Sequence, residues 1–301
     1  MPYRRWFRDR RILAAAAAYW DLSVREHEAE KEDGADGADE GDGADGGDGA
    51  DGEDRPMFLF LLIGFAVVTL AHTAPFPFVL DVAGPARSVW HMPMSEAGHT
   101  TIYLTFDDGP NPSATPELLD VLARENVRAT FFLIDRYVTD DTSALVKRMF
   151  ADGHGVAIHS HTRALLLMSP DQLAAAVEAS ADHIARAAGN RPCRAFRPHA
   201  GWRGGEMLAG LDRIDYTLVG WSWAMWDWNW FRRRTPESVE GLARRASAGD
   251  IIVIHDGHHK NPRADRRYAV DGVRRLIPAL RARGFGFATI CEGLQDASAG
   301  S

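Results

Sequence analysis

Between residues 100 and 292 short continuous apolar runs alternate with stretches of helical periodicity. Runs at 102–106, 129–134, 156–159, 195–197, 216–221, 251–255 and 287–290 read as strands. They lack polar alternation, which fits parallel strands covered on both faces. The helices between them have readable starts. Thr115-Pro116 and Thr235-Pro236 each set an N-cap residue before a proline at the first helical position. Ser169 is followed three residues later by Gln172, a capping box. Leu118, Val121 and Leu122 share one helical face, and Leu173, Val177 and Ile184 share another. Seven such units in a row predict an α/β barrel or a strongly twisted open sheet.

The pattern changes upstream. Residues 1–25 are basic and alanine-rich, with Arg4, Arg5, Arg8, Arg10 and Arg11 ahead of Ala14 to Ala18. Residues 26–56 form a degenerate Gly/Ala/Asp tract with almost no large apolar side chain, so nothing offsets the entropy of ordering it, and disorder is expected. Its irregular spacing argues against a calcium-binding repeat. Residues 57–74 open with an uncharged apolar run, MFLFLLIGFAVVTLA. Its length suits a short membrane anchor or a signal segment; a helix packed on the following domain is the alternative. Anchor or signal would place the domain that follows, residues 95–295, on the extracytoplasmic side.

Charge follows this division. The chain carries 34 basic and 42 acidic residues, but the stretch from Glu26 to Asp54 alone holds 14 acids and one base. The acidity therefore belongs to the tract and says little about the folded part. Two cysteines, Cys193 and Cys291, exclude a four-cysteine zinc module. They precede the fourth strand and follow the last, which are opposite ends of a parallel barrel, so no bond between them is expected. Arg232 to Arg234 and Arg263, Arg266 and Arg267 read as solvated faces. Basic and aromatic residues form no nucleic-acid module, and nucleic acid is not an expected partner.

In a parallel α/β barrel the chemistry lies at the carboxyl ends of the strands. Here those ends carry Asp107-Asp108, His159, Arg197 and His255-Asp256, with Asp227 beyond the fifth. Two adjacent carboxylates after a buried strand repel each other unless a cation binds one and leaves the other as a base. The hexapeptide Thr105-Phe106-Asp107-Asp108-Gly109-Pro110 resembles the first motif of the polysaccharide deacetylases (NodB homology, carbohydrate esterase family 4). His159-Ser160-His161-Thr162, Phe196-Arg197-Pro198, Trp221-Ser222 with Asp227-Trp228, and Ile252-Val253-Ile254-His255-Asp256 resemble the later motifs, in the same order.

The resemblance implies the family's distorted (β/α)7 barrel and a hydrolase of non-peptide carbon–nitrogen bonds. It would remove N-acetyl groups from amino sugars of a polysaccharide or glycoconjugate. Carried over residue by residue, Asp107 would be the general base. Asp108 and His159 would bind a divalent metal, zinc being expected, with His161 as a further candidate. His255 would be the general acid, Arg197 would keep Asp107 ionised, and Asp227 would orient His255. The backbone N–H of Ala200 would face the oxyanion.

Two departures stand out. The family's second metal histidine falls on Arg163, and a guanidinium cannot coordinate a cation. His258 and His259 are other candidates for the missing ligand. A glycan-binding protein with an impaired metal site is therefore the alternative function. The arginine motif continues as His199-Ala200 where the family has a proline and an aromatic residue. Trp221, Trp223, Trp226, Trp228 and Trp230 crowd ten residues. Most are expected to pack, with Trp226, Trp228 and Trp230 the candidates for stacking on sugar rings. His154 is expected to make a structural hydrogen bond.

Overall fold

A computed structural model describes residues 60, 62–64, 88–92, 100–225 and 236–299. The chain divides into two units, Met1–Asp54 and Arg55–Ser301, and every described residue belongs to the second. The basic segment, the acidic tract and most of the apolar run at 57–74 lie outside the described residues. No helix among the described residues is long and apolar enough to cross a membrane.

Among the described residues nine strands form the sheet: β1 (Ser88–Val89), β2 (Thr101–Gly109), β3 (Thr130–Leu133), β4 (Gly155–His159), β5 (Ala195–Arg197), β6 (Thr217–Val219), β7 (Trp223–Ala224), β8 (Ile251–His255) and β9 (Gly286–Phe287). Their spatial order is β1-β6-β5-β4-β3-β2-β8-β7, with β9 beside the start of β2, and all these pairs are parallel. The helices that cover the sheet include α1 (Thr115–Arg124), α2 (Asp140–Ala151), α3 (Pro170–Ala188) and α4 (Gly205–Asp212). They are followed by α5 (Pro236–Arg245), α6 (Arg267–Arg281) and α7 (Ile290–Ala299).

The predicted barrel is present in the distorted form. The run expected as a strand over 216–221 is shortened to β6. The strand within it, β6, pairs with β5, whereas β7 lies just beyond the run and pairs with β8, at the far end of the sheet. Only three residues lie between Val219 and Trp223, so these two strands stand within about 14 Å, and the sheet curls almost shut. The predicted last strand is reduced to β9, which pairs with Thr101 and Ile102. The sheet also takes in residues 88–92, ahead of the expected boundary at 95. Trp90 and Met92 are buried there, and Trp90 meets Trp221 edge to face at 5.7 Å.

Local signals account for much of this. Ser169 caps α3 and forms the reciprocal box with Gln172. The predicted faces of α1 and α3 are buried. At α1 the cap position is Ala114, while the Thr115 hydroxyl accepts from Asn111 N–H and donates to the Asp256 carboxylate. That bond draws Thr115 toward the strand ends and away from capping.

The cysteine expectation is overturned: Cys193 and Cys291 form a disulfide, with Cα atoms 5.8 Å apart. Because β9 pairs at the start of β2, the chain never climbs to the carboxyl end before Cys291. Both cysteines lie where β4 and β5 begin; Cys193 N–H donates to Val156 O, and Cys291 Sγ packs beside Gly155.

Candidate active site

Parallel register brings distant residues side by side. Asp107 on β2 pairs with His255 on β8, and His159 on β4 pairs with Arg197 on β5. Successive strand residues normally face opposite ways, which would turn Asp108 away from Asp107. The β2–β3 register slips between Asp107 and Gly109, and Asp108 takes φ 70°. Such an irregularity re-aims a side chain at the strand end. Gly257 permits the close approach: a Cβ there would stand 1.9 Å from the Asp108 carbonyl oxygen.

Arg197 has no exposed surface. Its Nη1 donates to Asp107 Oδ1 at 2.6 Å and to Thr105 Oγ1 at 2.8 Å. Nε donates to Val219 O at 3.2 Å and Nη2 to Gly220 O at 2.8 Å. The guanidinium also lies over the Phe132 ring, 3.9 Å from its centre. A buried cation held by four acceptors cannot turn away, so Asp107 sits beside a fixed positive charge.

His159 Nδ1 stands 2.9 Å from the Arg197 carbonyl oxygen. A carbonyl only accepts, so this nitrogen carries the proton and Nε2 keeps a lone pair. Nε2 lies 3.3 Å from Asp108 Oδ1. That oxygen is buried and has no aligned hydrogen-bond donor. Two lone pairs facing each other require a shared positive charge, either a second proton on His159 or a cation. Burial alone would raise the Asp108 carboxyl. Its contact with His159, with His255 and His199 adding, outweighs this and holds it well below the usual carboxylate range.

One ligand atom each from Asp108, His159 and His199 lie within 4.8 Å of one another. The donor set is one carboxylate and two imidazoles, which suits a divalent transition ion. Burial, helped by the neighbouring His159 and His259, pushes His199 down to about 3, so its lone pair is available at neutral pH. The residues present therefore fit a metal. Sequence reasoning missed His199 as a member of this group, because nothing in a strand-loop spacing says which way the loop after β5 turns.

His161 stands outside this ligand group. β4 ends at His159 and the chain bends at His161, so strand alternation no longer applies there. Burial lowers the His161 pKa, with the charge of Arg136 adding and Asp135 opposing, and both lie on the loop after β3. His258 and His259 also fall outside the group; their rings stack at 4.7 Å, and His259 stands 4.6 Å from His199. Arg163 packs over the Trp202 ring, 5.3 Å from its centre. His154 Nδ1 accepts from Ala129 N–H at 3.2 Å, the structural role expected for it.

Ala200 adopts φ 53° and ψ 21° inside a tight turn. Its neighbours' N–H groups bond to Ser160 Oγ and within the turn, whereas its own has no protein acceptor among the described residues. Trp221 is buried, and Trp223 Nε1 donates to Asp250 at 2.9 Å, so both belong to the scaffold. Asp227, Trp226, Trp228 and Trp230 lie outside the described residues.

Comparison with known proteins points the same way. A family model for polysaccharide deacetylase matches residues 95–219. The chain is 36% identical to a chitooligosaccharide deacetylase of Sinorhizobium fredii over 208 residues, covering 64% of this chain and 92% of that protein. Among solved structures it resembles the Bc1960 peptidoglycan N-acetylglucosamine deacetylase, with a TM-score of 0.61 and 25% identity over 74% of this chain and 97% of that one. It also resembles a family 4 acetyl xylan esterase from Clostridium thermocellum solved with cobalt. There the TM-score is 0.56 and the identity 29%, over 65% of this chain and 90% of that one.

Proposed function

Because the chain belongs to the polysaccharide deacetylase family, we propose that it hydrolyses the N-acetyl amide of amino sugars in a polysaccharide or glycoconjugate. The observation that carries this reading is the Asp107–Arg197 pair standing beside Asp108, His159 and His255 at one set of strand ends.

Arg197 occupies Asp107 Oδ1, which leaves the other oxygen to take a proton from the attacking water. Asp108 and His159 would hold the ion, for which zinc is the proposed choice. A bound divalent ion supplies Lewis-acid polarisation of the acyl carbonyl and of the water. The Ala200 N–H is the proposed donor to the oxygen that gains charge. His255, opposite Asp107 in the register, delivers a proton to the departing amine nitrogen. Asp227 is proposed to orient His255, and the tryptophans at 226, 228 and 230 to stack on sugar rings.

The relatives named above act on chitooligosaccharide and on peptidoglycan, and we propose one of these glycan classes as substrate. Export is proposed as well, on the strength of the apolar run at 57–74 and of a disulfide, a bond that persists in oxidising compartments. The test of the activity is acetate release from N-acetylglucosamine oligomers and from peptidoglycan. Release should stop after chelation and return with added zinc. Release that is unaffected by complete metal removal would refute metal dependence.

A further inference from the structure

The residue that the family pattern assigns to the second metal histidine is Arg163, so a third protein ligand must come from elsewhere or be missing. We infer that His199, on the turn after β5, is that ligand, and that the same turn engages Arg163 through the Trp202 ring. The inference rests on the deacetylase reading only for the presence of a metal.

Three observations carry it. First, His199 converges with Asp108 and His159, and no other His, Cys, Asp or Glu joins the group among the described residues. Second, Asp108 Oδ1 is a buried acceptor without an aligned donor, facing the lone pair of His159 Nε2. Third, the turn that delivers His199 is fixed. His199 N–H donates to Ser160 Oγ at 2.8 Å, directly after the ligand His159. Ala200 sits at positive φ, a strained choice for a residue with a Cβ. Gly201 follows at φ 72°, against the Trp221 ring, where a Cβ would come within 2.9 Å. A turn held on both sides presents its first side chain in one direction.

The turn then ends in Trp202, whose ring carries the Arg163 guanidinium. Residues 199–202 thus do two things together. They bring an imidazole to the ion and give the Arg163 guanidinium an aromatic platform. A histidine lost from the loop after β4 is compensated by one gained on the loop after β5.

The test uses the full chain, stripped by chelation and titrated with Co²⁺ alone and Zn²⁺ alone. The wild type should bind one ion. His199→Ala should weaken binding by at least about tenfold and change the visible Co²⁺ spectrum, as losing an inner ligand does where even an outer partner is worth about 10–100-fold. Arg163→Ala and His161→Ala should stay within about twofold of wild type. X-ray absorption on the zinc-loaded wild type should show two imidazoles, which guards against a His199 variant that folds poorly. His199→Ala binding as tightly as wild type, or a single imidazole in the wild type, would overturn the inference. A wild type that binds no ion overturns both this inference and the metal-dependent reading. One that binds the ion through two imidazoles but releases no acetate supports the ligand assignment and overturns the deacetylase reading.

Discussion

Arg197 shows how one side chain can carry both structure and chemistry. Its charge is acceptable in the core only because Asp107 and three other oxygens receive it. Replacing it with methionine would leave Asp107 buried and uncompensated, which costs about 3–5 kcal/mol. Arg197→Met should lower urea stability by that order, and adding Asp107→Asn in the same chain should restore part of it. Asp256 is a second buried acid with a different fate. Burial, with the charges of Asp108 and Asp107 adding, pushes its carboxyl up to about 7, against the Thr115 bond. A folded pKa above the unfolded value means the stabilisation is complete below about 4 and is lost as pH rises to about 7. His154 works in the opposite sense: burial lowers it to about 4, so its contribution is lost as pH falls from 6.5 through about 4. Asp256→Asn should therefore remove a declining component of stability between about pH 4 and 7, read as the difference from wild type. An unchanged pH profile would contradict a protonated Asp256. The placement of Asp107, Arg197 and His255 was legible in the sequence, since each stands at or near the end of a strand whose apolar run is unmistakable. His199 was not, because its direction depends on a positive-φ turn that no residue type announces.

At the scale of elements, strand ends decide what the site contains. The irregularity in β2 makes neighbours out of Asp107 and Asp108, and the bend after β4 removes His161. Strand existence followed from apolar runs, and the capping of α3 from Ser169 and Gln172. Pairing did not follow, because a short apolar run does not say which neighbour it meets. The 216–221 run gave only β6, with the unexpected β7 beyond it at the other end of the sheet, and the final run gave only β9. That second miss hid the disulfide, which depends on α7 starting at the amino-terminal side. The bond closes a separation of 98 residues. Reduction, or Cys193→Ala with Cys291→Ala, should cost about 2–4 kcal/mol, read from denaturant unfolding with and without reductant. No difference between oxidised and reduced protein would contradict a formed bond.

Across the whole molecule, the curled sheet gathers residues from β2, β4, β5 and β8 that lie up to about 150 positions apart in sequence. The family's sequence motifs mark these positions because the fold leaves few other places where a base, an acid and metal ligands can meet. Trp90, upstream of the matched region, covers Gly220 at the end where the sheet nearly closes. The export proposal is tested at this scale too. The full chain expressed in a bacterium should fractionate outside the cytoplasm with Cys193 and Cys291 oxidised, and a cytoplasmic, reduced protein would contradict it. The central claim is that Asp107, fixed by Arg197, activates water beside the metal ligands. Its most direct measure is single-turnover acetate release from an N-acetylglucosamine oligomer by zinc-loaded wild type and Asp107→Asn. The variant should bind the oligomer and one zinc normally but release acetate about 10²–10⁴ times more slowly. A variant that releases acetate at the wild-type rate would contradict the account.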